Sequence, residues 1–232
     1  MTDWAFLAFV IAIPVTMYLF FSGIFGAQAN DSGVAVAAVM MATMATYGGL
    51  GAAMSAGANI QTERTTGWVR QLLLTALTPT EFMVGRVIAA VLLVAPAIGA
   101  VFVTGALRGV SLSPGTWAAA FGLTLAALLP MIVLGLVLGL LFKPQTAGAA
   151  TTLVMMALSM LGGLWLPLDL MPEFMQAVGR LLPSYWASQL GGWPISGGAF
   201  PLQGVVVIGV WTVALAVIGV LSYRRAVRAT RR

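Results

Sequence analysis

Six apolar runs follow one another along this chain, each long enough to cross a bilayer as a helix and each nearly free of charge. A bilayer core takes about 20 consecutive apolar residues per helix. The runs are Trp4–Phe25, Val34–Ala58, Val84–Leu107, Thr116–Phe142, Thr146–Leu164 and Gly204–Tyr223. Of the 232 residues, 60% are hydrophobic and 7% charged, whereas soluble domains carry about 25% charged residues. So much apolar surface cannot be hidden in one soluble core of this size. A transmembrane barrel would need short alternating segments, and these runs are continuous. The pattern predicts an all-α polytopic membrane protein with six transmembrane helices, a single domain over residues 1–232. No repeat, linker or low-complexity tract divides it.

The net charge is +5. On a soluble chain such a balance would suggest nucleic acid; here the basic residues instead set orientation. With both termini inside, Arg64, Arg70, Arg86, Lys143, Arg224, Arg225, Arg228, Arg231 and Arg232 face the cytoplasm, and only Arg108 and Arg180 face out. The expected location is the bacterial inner membrane, with the basic C-terminal tail on anionic lipid headgroups. Nucleic acid is not an expected partner. Cysteine and histidine are both absent, which excludes disulfides, thiolate chemistry and the commonest metal ligand. Ala27-Gln28-Ala29 has the form of a signal-peptidase site. However, no Lys or Arg precedes the apolar run, and the run exceeds a typical signal core, so a retained helix is expected. Lys143-Pro144-Gln145 separates the fourth and fifth runs as a tight turn, because proline cannot continue the preceding ladder.

One polar island interrupts the oil. Asn59–Thr80 reads NIQTERTTGWVRQLLLTALTPT and holds Glu63, Arg64 and Arg70. Residues Thr65–Leu77 fit an amphipathic helix, with Trp68, Val69, Leu72, Leu73 and Ala76 at helical spacing on one face. Glu63, Gly67 and Arg70 fall on the other side. The spacing predicts a short helix on the cytoplasmic membrane surface. It either joins two spans or docks a partner.

Glu63-Arg64-Thr65-Thr66-Gly67, then Leu72-Leu73, Thr78-Pro79-Thr80-Glu81 and Gly85-Arg86, resembles the permeases of type-2 ABC exporters, the drug-resistance and nodulation-type members most closely. A second stretch, Gly162-Gly163-Leu164-Trp165-Leu166-Pro167 with Met171-Pro172 and Leu182-Pro183-Ser184-Tyr185-Trp186, is similar to the same family's G-x-x-x-P…P…P pattern. The resemblance implies that Glu63, Arg64, Gly67 and Arg70 form a coupling interface for a separate nucleotide-binding ATPase subunit. ATP and Mg would be bound by that partner, and this chain would hold no cofactor or metal. It also implies a second permease chain, identical or related, and short extracytoplasmic re-entrant helices between spans five and six. Family members usually begin with an amphipathic cytoplasmic helix. Met1–Asp3 leaves no room for one, which implies a reduced N-terminal contact with the ATPase or a start upstream of Met1.

Leu164–Gln203 is not a spanning helix on its own evidence, since prolines recur at 167, 172, 183, 194 and 201. Pro172 suits a first turn, Glu173 the positive helix end and Arg180 the far end. Phe174, Met175, Val178, Leu181 and Leu182 would line one face of a helix lying at or dipping into the outer surface. Trp165, Tyr185, Trp186 and Trp193 fit an interfacial aromatic belt. This segment either anchors the chain or forms an outer gate, with Trp165, Asp169 and Glu173 as its candidate residues. Gly135 and Gly139 make a GxxxG pair suited to close packing within the chain. Pro14, Pro96 and Pro130 are candidate kinks. The thirteen methionines suit ordinary packing or, alternatively, a path for varied hydrophobic cargo.

No ionisable residue is placed in mid-membrane, which disfavours an ion-coupled pump. No phosphate-loop motif, triad or carboxylate pair occurs, so the chain is not expected to be an enzyme. The reading is a permease subunit of an ATP-driven exporter of hydrophobic or amphipathic cargo, such as a drug or lipid. A non-transporting assembly or immunity protein, or an ion-coupled carrier, are the alternatives.

Overall fold

The computed structural model describes residues 4–25, 36–65, 79–142 and 144–230. All regular structure among these residues is helical: α1 (Trp4–Phe25), α2 (Val36–Thr65), α3 (Pro79–Leu107), α4 (Pro114–Ala127), α5 (Leu129–Leu141), α6 (Pro144–Leu161), α7 (Glu173–Gly179), α8 (Pro183–Ser196) and α9 (Leu202–Thr230), with a 3-10 turn at Leu168–Leu170. Four stretches are long and apolar enough to cross a membrane: Val36–Gly57, Val84–Leu107, Pro114–Leu141 and Leu202–Ser222. Two shorter apolar helices, Val10–Phe25 and Gln145–Leu161, accompany them. The chain is therefore a multi-pass helical membrane protein.

The central element is α2, which packs against α1, α3, α5, α6 and α8. Its glycines show the register. Gly48 faces Pro14 and Gly51 faces Val10, so α1 and α2 are antiparallel. Gly49 faces Ile98, and Gly105 of α3 faces Met41, so α2 and α3 are antiparallel too. Gly49 also meets Leu128 while Gly57 meets Gly135 and Gly139, so α2 and α5 run parallel. At the last crossing the GxxxG pair packs within the chain. A Cβ on Gly57 would fall on the Gly135 carbonyl, and one on Gly139 on the Gly57 carbonyl. Lipid supplies no hydrophobic drive between helices, so close backbone approach of this kind holds them together.

Pro130 interrupts the stretch Pro114–Leu141. It lacks an N–H, and its ring opposes the carbonyl four residues back. The helix therefore breaks at Leu128 (φ −82, ψ −3), whose amide is shared by the Thr124 and Ala126 carbonyls. Ser113 caps α4, its Oγ accepting from the Thr116 amide at 3.2 Å, with Pro114 in the first turn, where its missing donor costs nothing. Buried serine and threonine hydroxyls in α2, α4 and α6 find partners within their own helix, whereas the buried Tyr18 hydroxyl of α1 has no hydrogen bond of ordinary geometry. Thr46 donates to Ala42 O at 2.9 Å, Ser55 to Ala52 O at 2.6 Å, Thr124 to Ala120 O at 2.7 Å and Ser159 to Met155 O at 2.7 Å. In hydrocarbon an unsatisfied donor costs several kcal/mol, on the order of a lost buried hydrogen bond.

Beyond α6 the chain turns back into the bundle. Gly163 takes φ +71, a left-handed conformation that glycine adopts freely. Pro172 and Arg180 cap the seven-residue α7. Leu181 and Leu182, expected on the same helix, lie past its end. Pro183 then opens a fourteen-residue helix, α8, that runs through Pro194. The expected break at Pro194 does not occur; the helix continues two residues past it to Ser196, so Pro194 stands in the last turn. Ser184, Ala187, Ser188, Gly191 and Ile195 form the buried face of α8, spaced as one side of a helix. They pack it against α4, α2 and α9.

Ser184 ties α8 to α6 by donating to Leu158 O at 2.7 Å. That carbonyl also accepts from the Gly162 amide, so it keeps a partner if the hydroxyl is removed. Ser184→Ala is accordingly expected to cost only about 1 kcal/mol, read as a small drop in the unfolding temperature of the detergent-purified chain. A large drop would show that the bond does more than tether.

Candidate functional site

The chain has two regions where polar chemistry gathers, and α2 reaches both. At its C-terminal end α2 continues as helix to Thr65, past Asn59 where the sequence suggested a loop. Glu63 and Arg64 thus belong to its last turn by backbone. Their side chains, together with Gly67, Arg70 and the expected amphipathic helix beyond Thr65, lie outside the described residues. The Gly57–Gly139 crossing stands six residues before Glu63 and fastens this end of α2 to α5.

At the other end of α2 lies a cavity of about 250 Å³. Its α2 wall is Val36, Val39, Met40, Thr43 and Met44, and Phe21 of α1 closes one side. The opposite wall is the segment following α6, with Trp165 and Asp169, and the first half of α8, with Tyr185, Ser188 and Gln189. Two of the three candidate gate residues, Trp165 and Asp169, therefore meet in one cavity. Glu173 does not line it and opens α7 at the surface.

Trp165 stands edge-on to Tyr47 of α2, ring centroids 5.8 Å apart at 72°, a favourable quadrupole geometry. Its Nε1 is shut off from solvent and makes no hydrogen bond of ordinary geometry. Thr43 donates to Val39 O at 3.2 Å and Ser188 to Tyr185 O at 3.0 Å. Both hydroxyls spend their proton on their own helix and retain only acceptor capacity. Burial pushes the Tyr185 phenol above its ordinary value; the Asp169 carboxylate raises it further, and Arg180 opposes them. Tyr185 thus stays a neutral hydroxyl at physiological pH.

The wall is braced from behind. Gln176 of α7 donates through Nε2 to Met171 O at 2.9 Å. Trp186 Nε1 donates to Arg180 O at 2.7 Å, and Trp211 Nε1 of α9 to Leu181 O at 2.9 Å. Trp211 lies nine residues into α9, about 14 Å along its axis at 1.5 Å per residue. The junction of α7 and α8 therefore sits deep along α9. The aromatic belt suggested by composition is in part a set of indole clamps on exposed carbonyls. Of the methionines, Met41 and Met44 are core, Met40 and Met44 line the cavity, and Met156 and Met160 are exposed. Among the described residues no three His, Cys, Asp or Glu side chains gather to hold a metal ion.

Residues 31–223 match the family model described as ABC-2 family transporter protein. The chain is also 29% identical over 198 residues to YvfS of Bacillus subtilis (strain 168), which carries the name of a transport permease. The match covers 84% of this chain and 80% of that protein. The chain belongs to the ABC-2 family of transporter proteins and is a membrane permease of the ABC type-2 class.

Proposed function

We propose that this permease is the membrane subunit of an ATP-driven exporter, carrying hydrophobic or amphipathic cargo out of the cell. The observation that supports this best is the continuity of α2. One helix of 30 residues lines the cavity with its first two turns and ends in the Glu63-Arg64-Thr65 stretch. A push at one end can therefore reach the other, about 45 Å away at 1.5 Å per residue. In this reading α1 and α6 also cross the membrane, making six spans with both termini in the cytoplasm of a bacterial inner membrane. The segment from Gly162 to Ser196 is the re-entrant outer element. A second permease chain pairs with this one, and two separate ATPase subunits dock beneath.

ATP and Mg act in those subunits. Their closure moves the Glu63–Arg70 region, with Glu63, Arg64, Gly67 and Arg70 as the contact. The glycine crossing moves α5 with α2. Trp165 and Asp169 then separate from α2 or close on it, gating the cavity, with Glu173 at the outer rim. For ATP to drive this, nucleotide must stabilise one arrangement more than the other.

Uptake of a fluorescent lipophilic amphiphile into inside-out membrane vesicles tests the reading. The expected result is uptake that requires ATP, survives an ionophore, and falls to background in Gly67→Trp at equal protein abundance. Uptake that needs no ATP and collapses with the ion gradient would mark an ion-coupled carrier. Full uptake by Gly67→Trp would remove the coupling assignment.

A further inference from the structure

The cavity beside α2 has a chemical bias that its shape alone does not require. Among the described residues that line it there is one carboxylate, Asp169, and no lysine or arginine. The Asp169 side chain is exposed at the mouth. Three aromatic residues, Phe21, Trp165 and Tyr185, line the same space, and aromatic faces attract cations within about 6 Å of the ring centroid. Thr43 and Ser188 give their protons to Val39 O and Tyr185 O, so toward a ligand they offer acceptors. Arg180, the nearest basic residue along the segment, is not part of the wall and points its guanidinium at Gln176 Oε1, 3.4 Å away. An engineered apolar cavity of about 150 Å³ holds benzene. At about 250 Å³, this one has room for a small head with part of an apolar body.

We propose that the cavity is a binding site for the ammonium head of a small cationic amphiphile, with Asp169 as the counter-charge and the Trp165 and Tyr185 rings beside the head. Met40, Met44 and Val39 then take the apolar part of the ligand, since methionine adapts to irregular shapes. The site names the substrate class of the exporter reading and rests on that reading's view of the segment as part of the transport route. An anion of equal size is disfavoured, because Asp169 stands in the wall and repels it, while Arg180, close enough to oppose Asp169 at Tyr185, stands outside the wall.

The test is equilibrium dialysis of isotopically labelled benzyltrimethylammonium against the full purified chain in a maltoside detergent, without nucleotide. Saturable binding is expected, displaced by excess unlabelled cation but not by benzenesulfonate. Asp169→Asn is expected to weaken it about fivefold, the order of one charge pair near a surface, and Asp169→Glu to keep most of it. Higher salt should weaken wild-type binding and leave Asp169→Asn little changed. No saturable binding by wild type, equal binding by Asp169→Asn, or displacement by benzenesulfonate each overturns the assignment. Because no ATP is present, the two readings fail separately. ATP-driven uptake of a neutral amphiphile with no cation binding overturns the site alone. Cation binding with no ATP-driven uptake overturns the exporter reading alone.

Discussion

Gly57→Ala is expected to destabilise the permease by about 2–3 kcal/mol, the range for inserting a methyl where nothing can yield. The added Cβ would fall on the Gly135 carbonyl, with the Gly139 amide nitrogen 3.4 Å away. Both are backbone, so no side chain can rotate aside and α2 must part from α5. The parting forfeits the dispersion contacts of a seam that also includes Ala53 and Met54. In lipid those contacts are most of what holds two helices together. The control is Gly122→Ala in α4, where a Cβ meets nothing within 4 Å. That variant should stay within about 1 kcal/mol of wild type, since alanine is the better helix former. Thermal unfolding of both variants in the same detergent checks the pair. Equal stability of the two would mean that the seam is looser than described. Under the proposed function, Gly57→Ala should also reduce export beyond its effect on abundance, because it would uncouple α5 from the end of α2 that carries Glu63.

Trp186→Ala is the second large effect, expected to cost about 3–5 kcal/mol, as for other buried tryptophans. The ring is 9% exposed and lies against Gly204 of α9, where a Cβ would come within 2.7 Å of it. It stands edge-on to Tyr185 at 5.0 Å, and its Nε1 closes the Arg180 carbonyl at the end of α7. Alanine empties the ring's volume and frees that carbonyl together. Trp186→Phe keeps most of the ring and loses the hydrogen bond, so a cost of about 1 kcal/mol is expected. Unfolding temperatures in the order wild type, Phe, Ala are the expected outcome. An alanine variant as stable as the phenylalanine one would show that the α8–α9 contact is not held by this ring.

Much of the bundle was legible because lipid imposes one rule on every span. Apolar length located Val84–Leu107 to the residue, and the other long stretches to within two. Pro130 announced the break at Leu128, and Pro172 with Glu173 announced the start of α7. The small-residue pair Gly135 and Gly139 announced a close crossing but not its partner, since GxxxG carries no information about which helix it meets. Two features were hidden. α2 runs to Thr65 because polar residues such as Gln61 and Glu63 are good helix formers, while hydropathy marks only the end of the apolar run. α8 was obscured by Pro183 and Pro194, read as breakers although one starts the helix and the other sits in its last turn. Its signal was the small-residue face Ser184, Ala187, Ser188 and Gly191. The cavity was not legible at all, because Thr43, Asp169 and Ser188 come from three separate parts of the chain and only the tertiary fold unites them.

The most direct test is to tag the chain, extract it from its native membrane in mild detergent and identify what stays bound by mass spectrometry. A nucleotide-binding ATPase subunit in stoichiometric amount is expected, and it should be lost from the Glu63→Ala plus Gly67→Trp variant while the permease itself remains folded. A well-folded chain recovered repeatedly without any ATPase would contradict the account, and would leave the region after α2 as a plain connector between two spans.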